Sequence, residues 1–243
     1  GTAVLQLQRA LMQAVSSLSA SVPGGAAPPQ VKITPDLLYG SLNLKPLDYF
    51  APVLIGFFAF FLVFVITCVS FLRERTQGTM ERLFASPITR GEVVVGYMMG
   101  FGLFAMIQAL IIVLFTAFVL QVNYTGNLLW VFLATLILAI GAVNLGIFLS
   151  SFARTELQAV QFIPLVIAPS FLLSGLLFPV KDMPGWLQGV SAVLPLTYAN
   201  NALTDIMIRG KGLVEVLPEF GVLLLFAALM VVIASLTLRR EVA

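Results

Sequence analysis

Chemistry at a protein site needs side chains that ionise, ligate or attack, and in these 243 residues such side chains are few and unevenly placed. Histidine is absent altogether, which removes the commonest general base and the commonest transition-metal ligand. A zinc site of the H-E-x-x-H kind is thereby excluded, and so is a serine–histidine intramembrane protease built on Ser174-Gly175. The single cysteine, Cys68, sits within an apolar run and reads as a packing thiol; alone it makes neither an intrachain disulfide nor a cysteine-cluster metal site. Gly210-Lys211-Gly212 lacks the spacing and the hydroxyl of a phosphate loop, so ATP hydrolysis by that route is excluded. No acid–base pair or nucleophile constellation is left, and neither a catalytic nor a metal-binding residue is expected. The polar chemistry is concentrated in a charged stretch, Arg73–Glu92, and in a polar stretch around Pro195–Asp205.

The elements that position these stretches follow from composition. Sixty per cent of the residues are hydrophobic and ten per cent charged, against roughly a quarter charged in a soluble domain. The expected fold is an all-α polytopic membrane protein, because in lipid only a helix satisfies its own backbone within one segment. Five apolar runs are long enough to cross a hydrocarbon core of about 30 Å, at residues 49–72, 93–120, 128–150, 157–178 and 220–238. Residues 49–243 thus form a transmembrane domain. Residues 1–48, with Pro23-Gly24-Gly25-Ala26-Ala27-Pro28-Pro29, read as the remnant of another domain plus a linker.

Arg73, Arg75, Arg82, Arg90, Arg154, Arg239 and Arg240 fall in the loops at 73–92 and 151–156 and in the tail, so the positive-inside rule puts these in the cytoplasm; the expected location is a bacterial or archaeal cytoplasmic membrane. Residues 1–48 then lie outside, and a sixth helix is expected upstream in the parent protein. The net charge of +2 is too small and too dispersed for nucleic-acid binding. Gln108 and Asn144 fall inside spans, where polar side chains either hydrogen-bond helix to helix or line a pathway.

Within the charged stretch, Thr79-Met80-Glu81-Arg82-Leu83-Phe84 has the composition of a short amphipathic helix that Ser86-Pro87 stops. On these residues alone it is either a docking helix or an interfacial helix whose arginines snorkel to headgroups. In the polar stretch, Leu196, Ala199, Leu203, Ile206 and Met207 share one helical face, with Asn200, Asn201, Thr204 and Asp205 away from it. An amphipathic helix dipping back from the outer surface fits, and so does a surface helix packed on the bundle.

The run Arg73-Glu74-Arg75-Thr76-Gln77-Gly78-Thr79-Met80-Glu81-Arg82-Leu83-Phe84-Ala85-Ser86-Pro87-Ile88-Thr89-Arg90-Gly91-Glu92-Val93 resembles the signature of ABC-2 type permease subunits, E-R-E-x-G-T-x-E-x-L-x-x-[ST]-P-[IV]-[ST]-R-x-E-[IV]. Residues 73–75 read Arg-Glu-Arg where many members begin Glu-Arg-Glu. Leu194-Pro195-Leu196-Thr197-Tyr198-Ala199-Asn200-Asn201-Ala202-Leu203-Thr204-Asp205-Ile206 is similar to a second family segment before the last span, although many members carry histidine where Tyr198 or Ala199 stands.

The resemblance covers residues 47–240. It implies an exporter subunit that makes a translocation path for a hydrophobic or amphiphilic substrate such as a drug, lipid or lipid-linked glycan. It also implies a second permease copy, in a homo- or heterodimer within the membrane lipid, and a separate ATP-binding subunit that carries ATP and Mg, with no cofactor in this chain. By the same resemblance Thr79, Glu81, Arg82, Leu83, Phe84 and Pro87 form a cytoplasmic coupling helix. Arg73, Glu74 and Arg75 form a charged belt at the inner gate. Pro195, Thr197, Tyr198, Asn200, Asn201 and Asp205 belong to an extracytoplasmic re-entrant helix, with Gln108 and Asn144 as candidate pathway residues. An ion-coupled transporter would need ionisable groups near the bilayer midplane, and none lies within the runs. A non-transport membrane assembly subunit is the other alternative.

Overall fold

The computed structural model describes residues 45–78 and 87–237, together with Ala10 and Gln13. The expected coupling segment, Thr79–Phe84, therefore lies outside the described residues, as does nearly all of 1–44. The chain divides into two units at Lys45/Pro46. Of the first, Ala10 and Gln13 are helical.

The second unit is built of helices, with no strand among the described residues. Five are long and apolar enough to span a membrane: α1 Pro46–Thr76, α2 Arg90–Leu114 continued by a π-turn at Phe115–Val119, α3 Leu128–Ser150, α4 Glu156–Leu173 and α7 Leu213–Thr237. Between α4 and α7 come a 3₁₀ turn Val180–Asp182 and two shorter helices, α5 Gly185–Ser191 and α6 Pro195–Met207. The protein is a polytopic membrane protein.

Local capping starts the spans. Thr89 Oγ1 accepts from Glu92 N at 3.3 Å while Thr89 N donates to Glu92 Oε2 at 2.8 Å, a capping box that opens α2. Asn127 Oδ1 accepts from Leu129 N at 2.8 Å to open α3, and Thr155 Oγ1 accepts from Gln158 N at 3.3 Å to open α4.

The central helix is α3, which packs on α1, α2, α6 and α7. Its buried Gly141, Ala142 and Gly146 let neighbouring backbones come close, the device by which helices associate in lipid. Phe60, Phe64 and Phe71 of α1 are fully buried in the main core with Leu138, Val143 and Ile147 of α3. Farther out, Phe57 of α1 meets Phe171 of α4 edge to face at 5.1 Å. Cys68 is buried in a small apolar cluster with Leu72, Ala153 and Ala159.

Two boundaries differ most from the apolar runs. Helix α4 continues through Pro164 and Pro169 but stops at Leu173, short of Phe178, where Gly175 turns the chain at φ 87°. Helix α7 starts at Leu213, ahead of the apolar run at Phe220, so Glu215 and Glu219 belong to it. Glu215 Oε2 accepts from Gly212 N at 2.9 Å; this cap, with a carboxylate favoured in a first helical turn, starts the helix before hydropathy does.

Candidate functional site

At one end of the bundle α1 finishes in Arg73-Glu74-Arg75, and the three side chains reach three different helices. Arg73 Nε lies 3.5 Å from Glu156 Oε1 in the first turn of α4. The carboxylate of Glu74 accepts a short hydrogen bond from the Tyr97 hydroxyl of α2. Arg75 Nη1 donates to Ser151 O at 2.8 Å, at the C-terminal end of α3. Successive helical residues point about 100° apart, so consecutive charges fan out onto consecutive neighbours. With side chains 64% and 57% exposed, the Arg73–Glu156 pair contributes at most about 1 kcal/mol. The Arg75 bond, to a helix-terminal carbonyl, is the better anchor.

Beside this fan lies a cavity of about 780 Å³, lined by Glu74, Pro87, Ile88, Glu92, Tyr97 and Phe101 among others. It borders the described ends of the charged segment.

At the opposite end α6 is wedged among α1, α3 and α7. Pro195 occupies its N-terminal turn, where its missing N–H is one donor fewer to satisfy. Leu196, Ala199, Leu203, Ile206 and Met207 are buried, as their common face implied, but Asn200 and Asp205 are buried too. The helix is therefore enclosed on more than its apolar side. Thr197 Oγ1 donates to Ser191 O at 2.9 Å and Tyr198 Oη to Ala192 O at 2.8 Å, which tie α6 to α5. Asn200 Nδ2 donates to Ser174 O at 3.0 Å and contacts Ser174 Oγ at 3.1 Å, fixing the turn after α4. Trp186 of α5 is largely exposed.

The turn 121–127 joins the first and sixth helices. Asp48 is only 1% exposed, and its two oxygens accept from Asn123 N and Asn123 Nδ2, both at 3.0 Å. Thr125 N and Oγ1 donate to Met207 O at 2.9 and 3.0 Å.

Asp205 holds two cations, the Arg209 guanidinium in a short bond and Lys211 Nζ at 2.6 Å. Its donation to Asp205 is the largest influence that raises the Lys211 ammonium above its ordinary value. A raised folded value means that the bond stabilises fully below the unfolded lysine pKa, about 10.4, and loses that effect as pH climbs through the folded value. The thermal midpoint of the wild type should therefore fall more steeply than that of Lys211→Met as pH rises above about 10. Parallel curves would remove the bond from the stability of this corner.

Along one side of α6 a cavity of about 540 Å³ is lined by Tyr49, Phe50, Ser174, Lys181, Asn200, Asn201, Thr204, Asp205, Arg209 and Glu219. It gathers Thr197, Asn200, Asn201 and Asp205 of the sequence-derived set with Lys181, Arg209 and Glu219, which that set lacked. Acids just ahead of the last apolar run, at Glu215 and Glu219, were the available signal.

The two polar residues within spans are placed differently. Gln108 Nε2 reaches Phe58 O at 3.4 Å and so links α2 to α1. Asn144 is fully buried in α3, with Nδ2 donating to Ile140 O at 3.1 Å and Oδ1 unpaired among the described residues.

Comparison with known proteins converges on one group. Residues 7–208 match the family model described as ABC-2 type transporter. The chain is 33% identical over 213 residues to ABC transporter G family member 20 of Dictyostelium discoideum, covering 87% of this chain and 29% of that protein. It is 29% identical over 200 residues to the probable multidrug ABC transporter permease YbhR of Escherichia coli (strain K12), with 82% and 54% covered. Over 158 residues it is 28% identical to the linearmycin resistance permease protein LnrN of Bacillus subtilis (strain 168), with 65% and 41% covered. The chain thus spans about half the length, or less, of these relatives.

Proposed function

Since the chain belongs to the ABC-2 type transporter family, we propose that it is the permease subunit of an ATP-driven exporter, coupled through residues 73–92 to a separate subunit that binds ATP and Mg. The family as a whole pairs its membrane subunits with ABC ATP-binding partners, and the names of the bacterial relatives, multidrug permease and resistance permease, favour a hydrophobic or amphiphilic cargo.

The observation that carries this reading is the fan at the end of α1. A push on the segment that follows Thr76 reaches α4 through Arg73, α2 through Glu74 and α3 through Arg75. Closure of an ATP-binding subunit against Thr79–Phe84 would then rock several spans as a body, a transition between two packed arrangements. Its strength equals the difference in nucleotide affinity between them. In this reading the arginine-rich end faces the cytoplasm, residues 1–48 lie outside, and two permease copies enclose the path.

The test replaces Glu81 and Arg82 with alanine in the full-length protein reconstituted with its ATP-binding partner. The double variant should insert and fold as the wild type does, while cargo movement per ATP hydrolysed falls by at least about tenfold, the size of a lost coupling of about 1.4 kcal/mol. Unchanged transport by the double variant would end the docking assignment.

A further inference from the structure

The 540 Å³ cavity beside α6 contains a carboxylate whose burial nothing described in the protein explains. Glu219 lines it from the second turn of α7, and Glu219 Oε2 is buried without a hydrogen-bond partner among the described residues. The other acid in the wall is already satisfied, because Asp205 accepts from Arg209 and Lys211. The second unpaired atom in the wall, Asn200 Oδ1, is an acceptor as well. Asn201 and Thr204 add further oxygens, and Tyr49 and Phe50 add aromatic rings. Two cations also line the cavity, but Lys181 is exposed at its rim and Arg209 is held by Asp205, so the buried groups left without a partner among the described residues are acceptors, one of them a carboxylate oxygen. A buried carboxylate oxygen left unpaired costs several times what a satisfied one does, so such a site is complete only with a donor.

We propose that this cavity binds the protonated amino group of an amphiphile. The N–H donors of a primary or secondary ammonium go to Glu219 Oε2 and the neighbouring oxygens, while the apolar body lies against Tyr49, Phe50, Val53 and Leu176. An ammonium matches the site on three counts. It supplies donors where Glu219 Oε2 and Asn200 Oδ1 lack them, it neutralises Glu219, and its charge is attracted to the faces of aromatic rings. A metal ion matches less well, since no group of three or more ligating side chains occurs among the described residues. An anionic amphiphile would meet Glu219 as a like charge, and its attraction to Lys181 would hold it at the exposed rim, away from the unpaired oxygen.

As a statement about cargo this inference rests on the permease reading, but as a statement about binding it does not. Binding is therefore measured first on the purified full-length protein alone, in phosphatidylcholine nanodiscs at pH 7, with dodecylammonium as the probe. Dodecyltrimethylammonium and dodecanol, which share the chain but lack N–H⁺ donors or the charge, are the comparisons. Saturable binding of dodecylammonium is expected, at least about tenfold tighter than of either comparison, the factor a charge-assisted hydrogen bond supplies. Glu219→Gln should erase that preference and leave dodecanol unaffected, and Glu219→Asp should keep part of it. Equal affinity for the three probes on the wild type, which needs no variant to fold, would overturn the proposal. A full preference retained by Glu219→Gln would overturn it too.

Phosphatidylethanolamine in the discs separates two sources of the same chemistry. If it competes with the probe, a lipid headgroup is the natural occupant; if it does not, the occupant is a free amphiphilic amine. With the ATP-binding partner added, binding without stimulated hydrolysis would sink the permease reading alone. Stimulation by other lipophiles without amine binding would sink this site alone.

Discussion

Gly126→Ala should lower the thermal midpoint of the purified protein by roughly 6–12 °C, the equivalent of about 3 kcal/mol for a chain of this size. The cause is a contact with backbone that has no room to yield. A Cβ built on Gly126 would lie 2.2 Å from Ile206 O and 3.0 Å from Ile206 C, well inside van der Waals distance. Relief requires the turn 121–127 to lift off the end of α6. That movement would break both donations from Thr125 to Met207 O and strain the pair that Asn123 makes with buried Asp48. Gly102→Ala is the natural control, because a Cβ there meets nothing within 4 Å and a helical alanine is favoured over glycine by up to about 1 kcal/mol. Equal midpoints for the two variants would mean that the turn is not seated as described.

The second large effect is a coupling rather than a loss. A Cβ on Gly56 would come within 2.6 Å of Asn200 Oδ1 and 3.3 Å of Leu203 Cδ1. The amide of Asn200 cannot swing aside freely, since its nitrogen holds Ser174 O and Ser174 Oγ. Gly56→Ala alone should destabilise by about 2 kcal/mol, through overpacking. Asn200→Ala alone should cost about 1–3 kcal/mol, because it leaves Ser174 O without its donor. In the double variant the new methyl group occupies the space the amide left, so the combined loss should fall short of the sum by about 1 kcal/mol or more. Strict additivity in a double-mutant cycle would show that Gly56 and Asn200 do not touch. Because Asn200 and Ser174 both line the 540 Å³ cavity, the same cycle run on dodecylammonium affinity reports whether the wall and the site move together.

The fan at Arg73–Arg75 shows how far a motif reaches. That these residues form a charged cluster at the end of a span was plain from their position after an unbroken apolar run. Their partners were not, since Ser151 and Glu156 lie more than seventy residues away and Tyr97 lies in a span whose composition marks no face. Asp205 was placed on the side of α6 turned from the apolar face, and amphipathic spacing alone would expose it. It is buried because Arg209 and Lys211 close over it. Glu219 was missed for a related reason: hydropathy starts the last span at Phe220, whereas the Gly212–Glu215 cap starts it at Leu213.

The sequence by itself determined the solvent, the helical class, the five spans and the absence of histidine and cysteine-cluster chemistry. These depend on composition and on run length, both of which are local. Tertiary structure alone decided which face of each span turns inward, which carbonyl receives Arg75, which atoms crowd Gly56 and Gly126, and that Glu219 lines a cavity beside α6. Spans that are apolar on every side carry no periodic signal of their own rotation, so the contacts that orient them are set by packing between distant segments.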